Sequence, residues 1–364
     1  MAEDRLWYWH WLCGVEKLPP EKKIRLLRFM PDPERLYNIE EKELTGQNLL
    51  TPRELALFLD SRRETDSIWK GYERMKEKDI RLITLEDAEY PRRLLHIYGP
   101  PCGLYVKGRL PSAHEKGAAI VGARRCSHYG REMARRTGRF LAAADIQVIS
   151  GMAAGIDRAG HEGAMETGAT FAVLGCGTDQ CYPIENYDIY SQIPVKGGLI
   201  SEFPPGSRPE GWHFPQRNRL ISGLSDLVAV IEARKRSGSL ITAEYALDQG
   251  KEVFALPGMV TDPLSEGCHQ LIQSGAGLLA SPENILEILA PDRKIELKSS
   301  KEIEMGLVFV EKKVYSGLDL RPRSLEEIAR RSGLSVRETA QALVQLEIRG
   351  LIKRTEWNYY AVIT

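Results

Sequence analysis

The chain has 364 residues, 43% of them hydrophobic, which is the length of two or three folded domains and the composition of a chain that buries a core. Lysine plus arginine equals aspartate plus glutamate at 50 each, so overall charge gives no pull on nucleic acid and any anion site has to be a local patch. Cysteine usage speaks against a zinc centre or other metal: Cys13, Cys102, Cys126, Cys176, Cys181 and Cys268 are scattered without a CxxC pair or histidines at ligand spacing, and read as reduced, buried thiols.

The opening stretch MAEDRLWYWHWLCG is acidic at its start and makes a poor signal peptide. No apolar run approaches the roughly 18 residues that a membrane helix needs, so a reducing cytoplasm without membrane attachment is expected. Residues 1–78 have helical spacing punctuated by Pro19, Pro20, Pro31, Pro33 and Pro52, with Thr51 as N-cap and Pro52 at the first helical position. They read as a helical domain of SAM or helix-hairpin-like type. Trp7 and Trp11, four apart, share a helix face, either as a small core or as a docking surface.

Over 79–290 short apolar strands alternate with amphipathic helices. Candidate strands are Ala118–Val121, Gln147–Ile149, Thr170–Leu174, Leu199–Ile200, Leu227–Ile231 and Val253–Leu256. The alternation predicts an α/β fold with an extended Rossmann-like, doubly wound, mostly parallel sheet, whose ligands bind at the carboxyl ends of the strands. The first strand ends in Gly122-Ala123-Arg124, followed by Ser127; glycine permits close backbone approach and the arginine suits a phosphate. The second ends in Ser150-Gly151, where a dinucleotide enzyme would carry an acid for the ribose. The third ends in Gly175-Cys176-Gly177-Thr178-Asp179, with Gln180 where the third glycine of GxGxxG belongs. The fingerprint is absent, no GxxxxGK[ST] loop occurs, and no cofactor is expected. Asp157, His161 and Asp179 are candidate acid–base groups, although the two aspartates more naturally brace glycine-rich turns.

The densest signal is HFPQRNRLISGLSDLVAVIEARKRSGSLITA, residues 213–243. Its strand Leu227–Ile231 is continuously apolar, hence buried on both faces. Arg217 and Arg219 precede it with Asn218 between them; Arg234, Lys235 and Arg236 follow it, and Ser237-Gly238-Ser239 opens the next helix. Unpaired N–H groups at such a helix start suit an anionic oxygen. Phe214, or Tyr182 from the third strand's loop, is a candidate for stacking on a base, and core packing is the alternative for each. The run HQLIQSGAGLL at 269–279 offers apolar positions either for a dimer interface or for internal packing.

Residues 291–306 are charged and read as a linker. Over 307–364, Ser324 with Glu327 and Ser335 with Glu338 form two S-x-x-E capping boxes separated by Gly333, and two β-like runs follow Gly350. Helices followed by a hairpin describe a winged helix. Its second helix carries Arg337, Gln341, Gln345 and Arg349 for a duplex groove, but also Glu338 and Glu347, so duplex and protein both stand as partners.

Seven ordered segments resemble the DprA/Smf family of DNA-processing proteins: GARRCSHYG at 122–130, SGMAAGID at 150–157, GCGTDQCYPIEN at 175–186, SEFPPG at 201–206, HFPQRNRLISGLS at 213–225, EARKRSGSLITA at 232–243 and FALPG at 254–258. The resemblance implies a cytoplasmic, non-enzymatic protein that binds single-stranded DNA. It further implies protection of incoming strands during natural transformation, loading of the RecA recombinase and homodimerisation. By motif, Arg124, Arg217 and the basic residues before Ser237 would line one positive pocket. Three positions depart from the family pattern: GAR in place of GSR, Gly160-His161 in place of an alanine–histidine pair, and Ile184 where some members carry a lysine. The competing readings are a nucleotide-binding or nucleotide-hydrolysing enzyme on a Rossmann-like fold and a winged-helix transcriptional regulator. The first would need a carboxylate pair and a glycine-rich catalytic loop, which the sequence does not display.

Overall fold

The protein is described from a computed structural model that covers residues 2–63, 65–293, 307–356 and 358–363. The expected linker therefore lies, from residue 294 on, outside the described residues. Six helices open the chain: α1 (Ala2–Gly14), α2 (Pro20–Phe29), α3 (Pro33–Asn38), α4 (Glu41–Thr45), α5 (Pro52–Ser61) and α6 (Thr65–Glu77). Proline starts α2, α3 and α5, where a missing N–H costs no helical hydrogen bond. At α5 Thr51 N donates to Glu54 Oε2 (2.7 Å) and Glu54 N donates to Thr51 Oγ1 (3.3 Å), the reciprocal cap the sequence predicts. Trp7 and Trp11 are core residues: both rings meet Tyr37, and Trp11 also meets Phe58.

A nine-stranded sheet follows: β1 (Arg81–Thr84), β2 (Gly103–Gly108), β3 (Gly117–Val121), β4 (Gln147–Ser150), β5 (Thr170–Val173), β6 (Gly198–Ser201), β7 (Leu227–Val230), β8 (Glu252–Ala255) and β9 (Gly277–Leu278). Its order is β1-β2-β6-β5-β4-β3-β7-β8-β9, parallel from β6 to β9 and antiparallel at β1/β2 and β2/β6. β1, β2 and β9 are not among the strands the sequence predicts. β9 has two residues and β1 four, whereas β2, with six, is the longest strand of this sheet and runs from Gly103 to Gly108; pairing with β1 and β6 rather than a local pattern makes it a strand. The antiparallel edge seats the N-terminal helices, because Leu82, Cys102 and Tyr105 share one core with Trp11, Leu26 and Phe58.

Alternate strand residues feed two further cores, as the strand period of two requires. Ala118, Ile120, Val148, Leu227 and Ala229 face α7 (His128–Ala143), α8 (Ile156–Thr167) and α13 (Glu283–Leu289). Ala119, Val121, Ile149, Val228 and Val230 face α10 (His213–Leu224), α11 (Gly238–Asp248) and α12 (Glu266–Gln273). In the run at 269–279, Leu271, Ile272 and Ala276 are partly buried against this second face, Leu279 packs on the first, and Leu278 is exposed. One more helix, α9 (Tyr187–Lys196), covers the β5/β6 side. α7 and α8 touch backbone to backbone: a Cβ on Gly163 would fall 1.9 Å from Arg135 O, and one on Gly138 2.3 Å from Gly160 O.

The C-terminal unit comprises α14 (Phe309–Ser316), α15 (Leu325–Ser332), α16 (Val336–Ile348) and a small sheet in the order β10 (Arg323–Ser324), β12 (Tyr359–Val362), β11 (Ile352–Glu356). Gly333 turns the chain between α15 and α16 at φ 69°, a left-handed conformation that glycine adopts freely. The Ser335 box forms in full. The Ser324 box forms only by half: Ser324 Oγ accepts from Glu327 N (3.2 Å), but the Glu327 carboxylate is taken by Arg323. The unit rests on α7, with Lys353 Nζ 3.2 Å from Glu132 Oε1 and Leu320 packed on the α7 core.

Candidate functional site

Strand order reverses between β3 and β7, and the crevice outside their carboxyl ends is where an open parallel sheet binds ligands. Here a cleft of about 670 Å³ opens between the β3–α7 loop, the β7–α11 loop and α10. α10 runs back against the strands, so its first turns lie at the carboxyl ends although they precede β7 in sequence. That reversal brings Phe214, Arg217 and Asn218 beside Arg234 and Arg236. Residues 217 and 219 sit about 200° apart around a helix and separate. Arg217 lines the cleft, whereas Arg219 points to the opposite side and is spent on a buried ion pair with Glu202.

Arg124, Arg125, Arg234 and Arg236 line the cleft and are exposed. None has a carboxylate within ion-pair distance among the described residues, whereas Arg93, Arg135, Arg158 and Arg219 are each paired with one. Arg124 lies over the Phe214 ring, 5.2 Å from its centroid, and Phe214 meets Tyr182 at 5.5 Å with an interplanar angle of 34°. The three make a short ladder along one wall. Phe214 is half-buried, since Gly175 at the end of β5 leaves room for its ring edge, and Tyr182 is 41% exposed. A recess of about 120 Å³ continues past the ladder toward Met152 and Cys176. Gly122, Ser237, Gly238 and Ser239 complete the rim. Asn218 Nδ2 donates to Gly238 O (3.2 Å), tying α10 to the start of α11, and Ser237 Oγ accepts from Ser239 N (3.4 Å).

The structure places Ser127, Gly151, Gly177 and Lys235 outside the cleft lining. Ser127 caps α7 and is consumed there. Its N and Oγ donate to Glu232 Oε2 (2.9 Å) and Oε1 (2.5 Å), and Gly130 N donates to Ser127 Oγ (3.0 Å). A Cβ on Gly130 would fall 2.3 Å from the Glu232 carboxyl carbon, so glycine there makes room for the carboxylate. The first helix N-terminus of a Rossmann-like sheet ordinarily attracts phosphate, and here the chain's own carboxylate fills it. Burial raises the Glu232 pKa, and the hydrogen bonds from Ser127 oppose that rise.

Gly151 is likewise crowded by the protein itself: a Cβ would lie 2.5 Å from both Arg217 Nη1 and Asp157 Oδ2, two buried charged groups. Arg217, 5% exposed, donates through Nη1 to Val173 O at the end of β5. Burial lowers its pKa to about 10, and burial pushes Asp157 up to about 6 against the pull of Arg217. Arg217 therefore forms part of the floor and holds the end of β5. Gly177 packs against Asp179 and the 204–206 loop. Asp179 accepts from Gly206 N (2.7 Å) and from Lys78 Nζ (3.1 Å), the bracing role the sequence favours. His161 is sealed between Thr170 Oγ1 and Gly151 O, each at 2.6 Å, and burial lowers its pKa to about 4. It has no route to a substrate proton.

On α16, Arg337, Gln341 and Gln345 are exposed, together with Val344 and Ile348. Arg349 is partly committed, its Nη1 lying 3.4 Å from Glu311 Oε2. Two residues of the main site escape the sequence reading. Arg125 lines the cleft beside Arg124, and the doubled arginine of GARR was its signal. Glu232 opens the EARKRSGS segment, but nothing in one dimension shows its carboxylate reaching back to the cap of α7.

A family described as DNA recombination-mediator protein A matches residues 81–290, and a DprA winged helix domain matches 309–356. Protein Smf of Escherichia coli K12 is 34% identical over 96% of this chain and 94% of its own length. DNA processing protein DprA of Streptococcus pneumoniae R6 is 38% identical over 68% of this chain and 88% of its own. The X-ray structure of DprA from S. pneumoniae superposes with a TM-score of 0.66 at 32% identity, covering 79% of this chain and 97% of that one. A structure of DNA processing protein A from Helicobacter pylori, reported for its single-stranded DNA binding mode, gives a TM-score of 0.53 at 29% identity, over 59% of this chain and 98% of that one. The chain belongs to the DprA/Smf family of DNA-processing proteins.

Proposed function

We propose that this protein binds single-stranded DNA through the cleft between β3, β7 and α10. The carrying observation is the group of exposed arginines, Arg124, Arg125, Arg234 and Arg236, that converge there without carboxylate partners. In a molecule of zero net charge, four exposed cations converging on one cleft at the carboxyl ends of the strands make a site for several phosphates. The Arg124–Phe214–Tyr182 ladder offers a stacking surface for a base, and stacking ignores base identity. Binding is therefore tolerant of sequence. No catalysis is required: His161 is buried, Asp157 is buried and accepts from Ala153 N, and Asp179 is locked in a turn. Glu232 in the α7 cap weighs against a nucleotide enzyme that anchors a phosphate there.

In the fuller reading, the protein protects incoming strands during natural transformation, loads RecA and works as a homodimer in the cytoplasm. Residues 79–290 carry the strand and residues 307–364 contact duplex DNA or protein. A mobility-shift comparison tests the core of this reading. A single-stranded oligonucleotide should shift at lower protein concentration than its duplex, and Arg124→Glu should abolish the shift. Tight sequence-specific duplex binding that survives Arg124→Glu would support the regulator, and nucleotide turnover without DNA would support the enzyme. Light scattering reads the dimer, and RecA-filament assembly on strands coated with single-strand-binding protein reads the loading.

A further inference from the structure

A second cavity, of about 580 Å³, lies on the other side of α10, between the N-terminal helices and the sheet. Two of its lining residues, Cys13 at the end of α1 and Cys102 just before β2, bring their Sγ atoms to 3.3 Å although they stand 89 positions apart in sequence. Neither thiol serves the DNA cleft. Gly103 permits the approach, since a Cβ there would fall 2.8 Å from Cys13 Sγ. Lys23, itself buried, donates from Nζ to Cys13 O (2.7 Å) and sets a positive charge beside the pair.

We infer that Cys13 and Cys102 form a redox-active dithiol that a low-molecular-weight disulfide, entering by this cavity, oxidises to an intramolecular cross-link. The separation leaves a closing movement of roughly 1 Å to reach a disulfide bond of about 2.05 Å. The contact between the two thiols and the charge of Lys23 stabilise a thiolate in this pair, on Cys102 when Cys13 keeps the shared proton. Cys102 Sγ attacks one sulfur of RSSR, forming a mixed disulfide and expelling RS⁻. Cys13 then loses its proton and attacks Cys102 Sγ, expelling the second RS⁻. Two protein thiols are oxidised, one RSSR is reduced to two RSH, and two electrons pass from the protein sulfurs to the small disulfide. The product ties α1 to the antiparallel edge of the sheet and closes a loop that holds α2 to α6 and β1.

The test uses the intact chain equilibrated with graded ratios of oxidised to reduced glutathione, followed by alkylation and peptide mapping without reductant. The peptides holding Cys13 and Cys102 should appear joined, in a fraction that follows the ratio and is reversed by dithiothreitol. Cys102→Ser should leave Cys13 carrying at most a single glutathione. A thermal midpoint raised by several degrees on oxidation, in the wild type and not in Cys102→Ser, reports the clamp independently. Recovery of both cysteines as alkylated free thiols, or as separate glutathione adducts that never join, overturns the proposal.

Discussion

Replacing Arg124 by alanine removes one cation from a cleft that holds four exposed arginines without carboxylate partners. Each phosphate neutralised on a single strand contributes about −0.7 to the slope of log affinity against log salt, so three or four contacts give a wild-type slope of roughly −2 to −3. Between 50 and 200 mM salt that slope weakens binding by about twenty- to fifty-fold. Arg124→Ala should make the slope shallower by about 0.7. It should also lower affinity at fixed salt by about 1–2 kcal/mol, because a charge-assisted contact and the face-on contact with Phe214 go together. Fluorescence anisotropy of a labelled single-stranded oligonucleotide across a salt series measures both quantities. A wild-type slope near zero, or a slope unchanged by Arg124→Ala despite a lower affinity, would refute phosphate neutralisation by this cleft.

Three further outcomes follow from the same geometry. The folded-state pKa of Asp157, about 6, lies above the ordinary 3.8, so its negative charge beside Arg217 is present above about pH 6 and lost below it. DNA affinity should accordingly rise as pH falls through 6, and Asp157→Asn should flatten that dependence in the same anisotropy assay; an unaltered profile would contradict the coupling. Phe214→Ala should cost about 1–3 kcal/mol of binding with the salt slope preserved, because it removes stacking and leaves the phosphate contacts in place. Gly163→Ala should destabilise the fold by about 2–4 kcal/mol in urea denaturation, since the new Cβ meets a backbone oxygen of α7 that has no side-chain freedom to yield. A change below about 0.5 kcal/mol would show that the helices separate at little cost.

The parts of this protein legible in its sequence are those set by local periodicity. Continuous apolar runs at 118–121 and 227–231 mark β3 and β7, the two central strands whose shared edge defines the cleft. Thr51 with Glu54 and Ser335 with Glu338 are reciprocal caps because a cap spans only four residues. What depends on chain reversal was hidden. Arg217 is readable as a pocket residue, but the buried carboxylate of Glu202 that takes up Arg219 is not, because it arrives from the end of β6. Ser127 resembles a phosphate ligand until the strand order brings Glu232 across to its hydroxyl. Glycines 151 and 177 invite a reading of close ligand approach, but the atoms that crowd them belong to the protein. The basic cluster after β7 resolves in the same way: Ser237 N donates to Arg234 O (3.1 Å), and the turn this closes leaves Arg234 and Arg236 on the cleft and Lys235 outside it.

The most direct test of the central claim is where a bound strand touches the chain. An oligonucleotide containing photoreactive thymidines, irradiated on the intact protein and mapped by mass spectrometry, should cross-link to peptides carrying Tyr182, Phe214 or residues 234–239. Cross-links confined to α16 of the winged-helix unit, with none on those peptides, would contradict it.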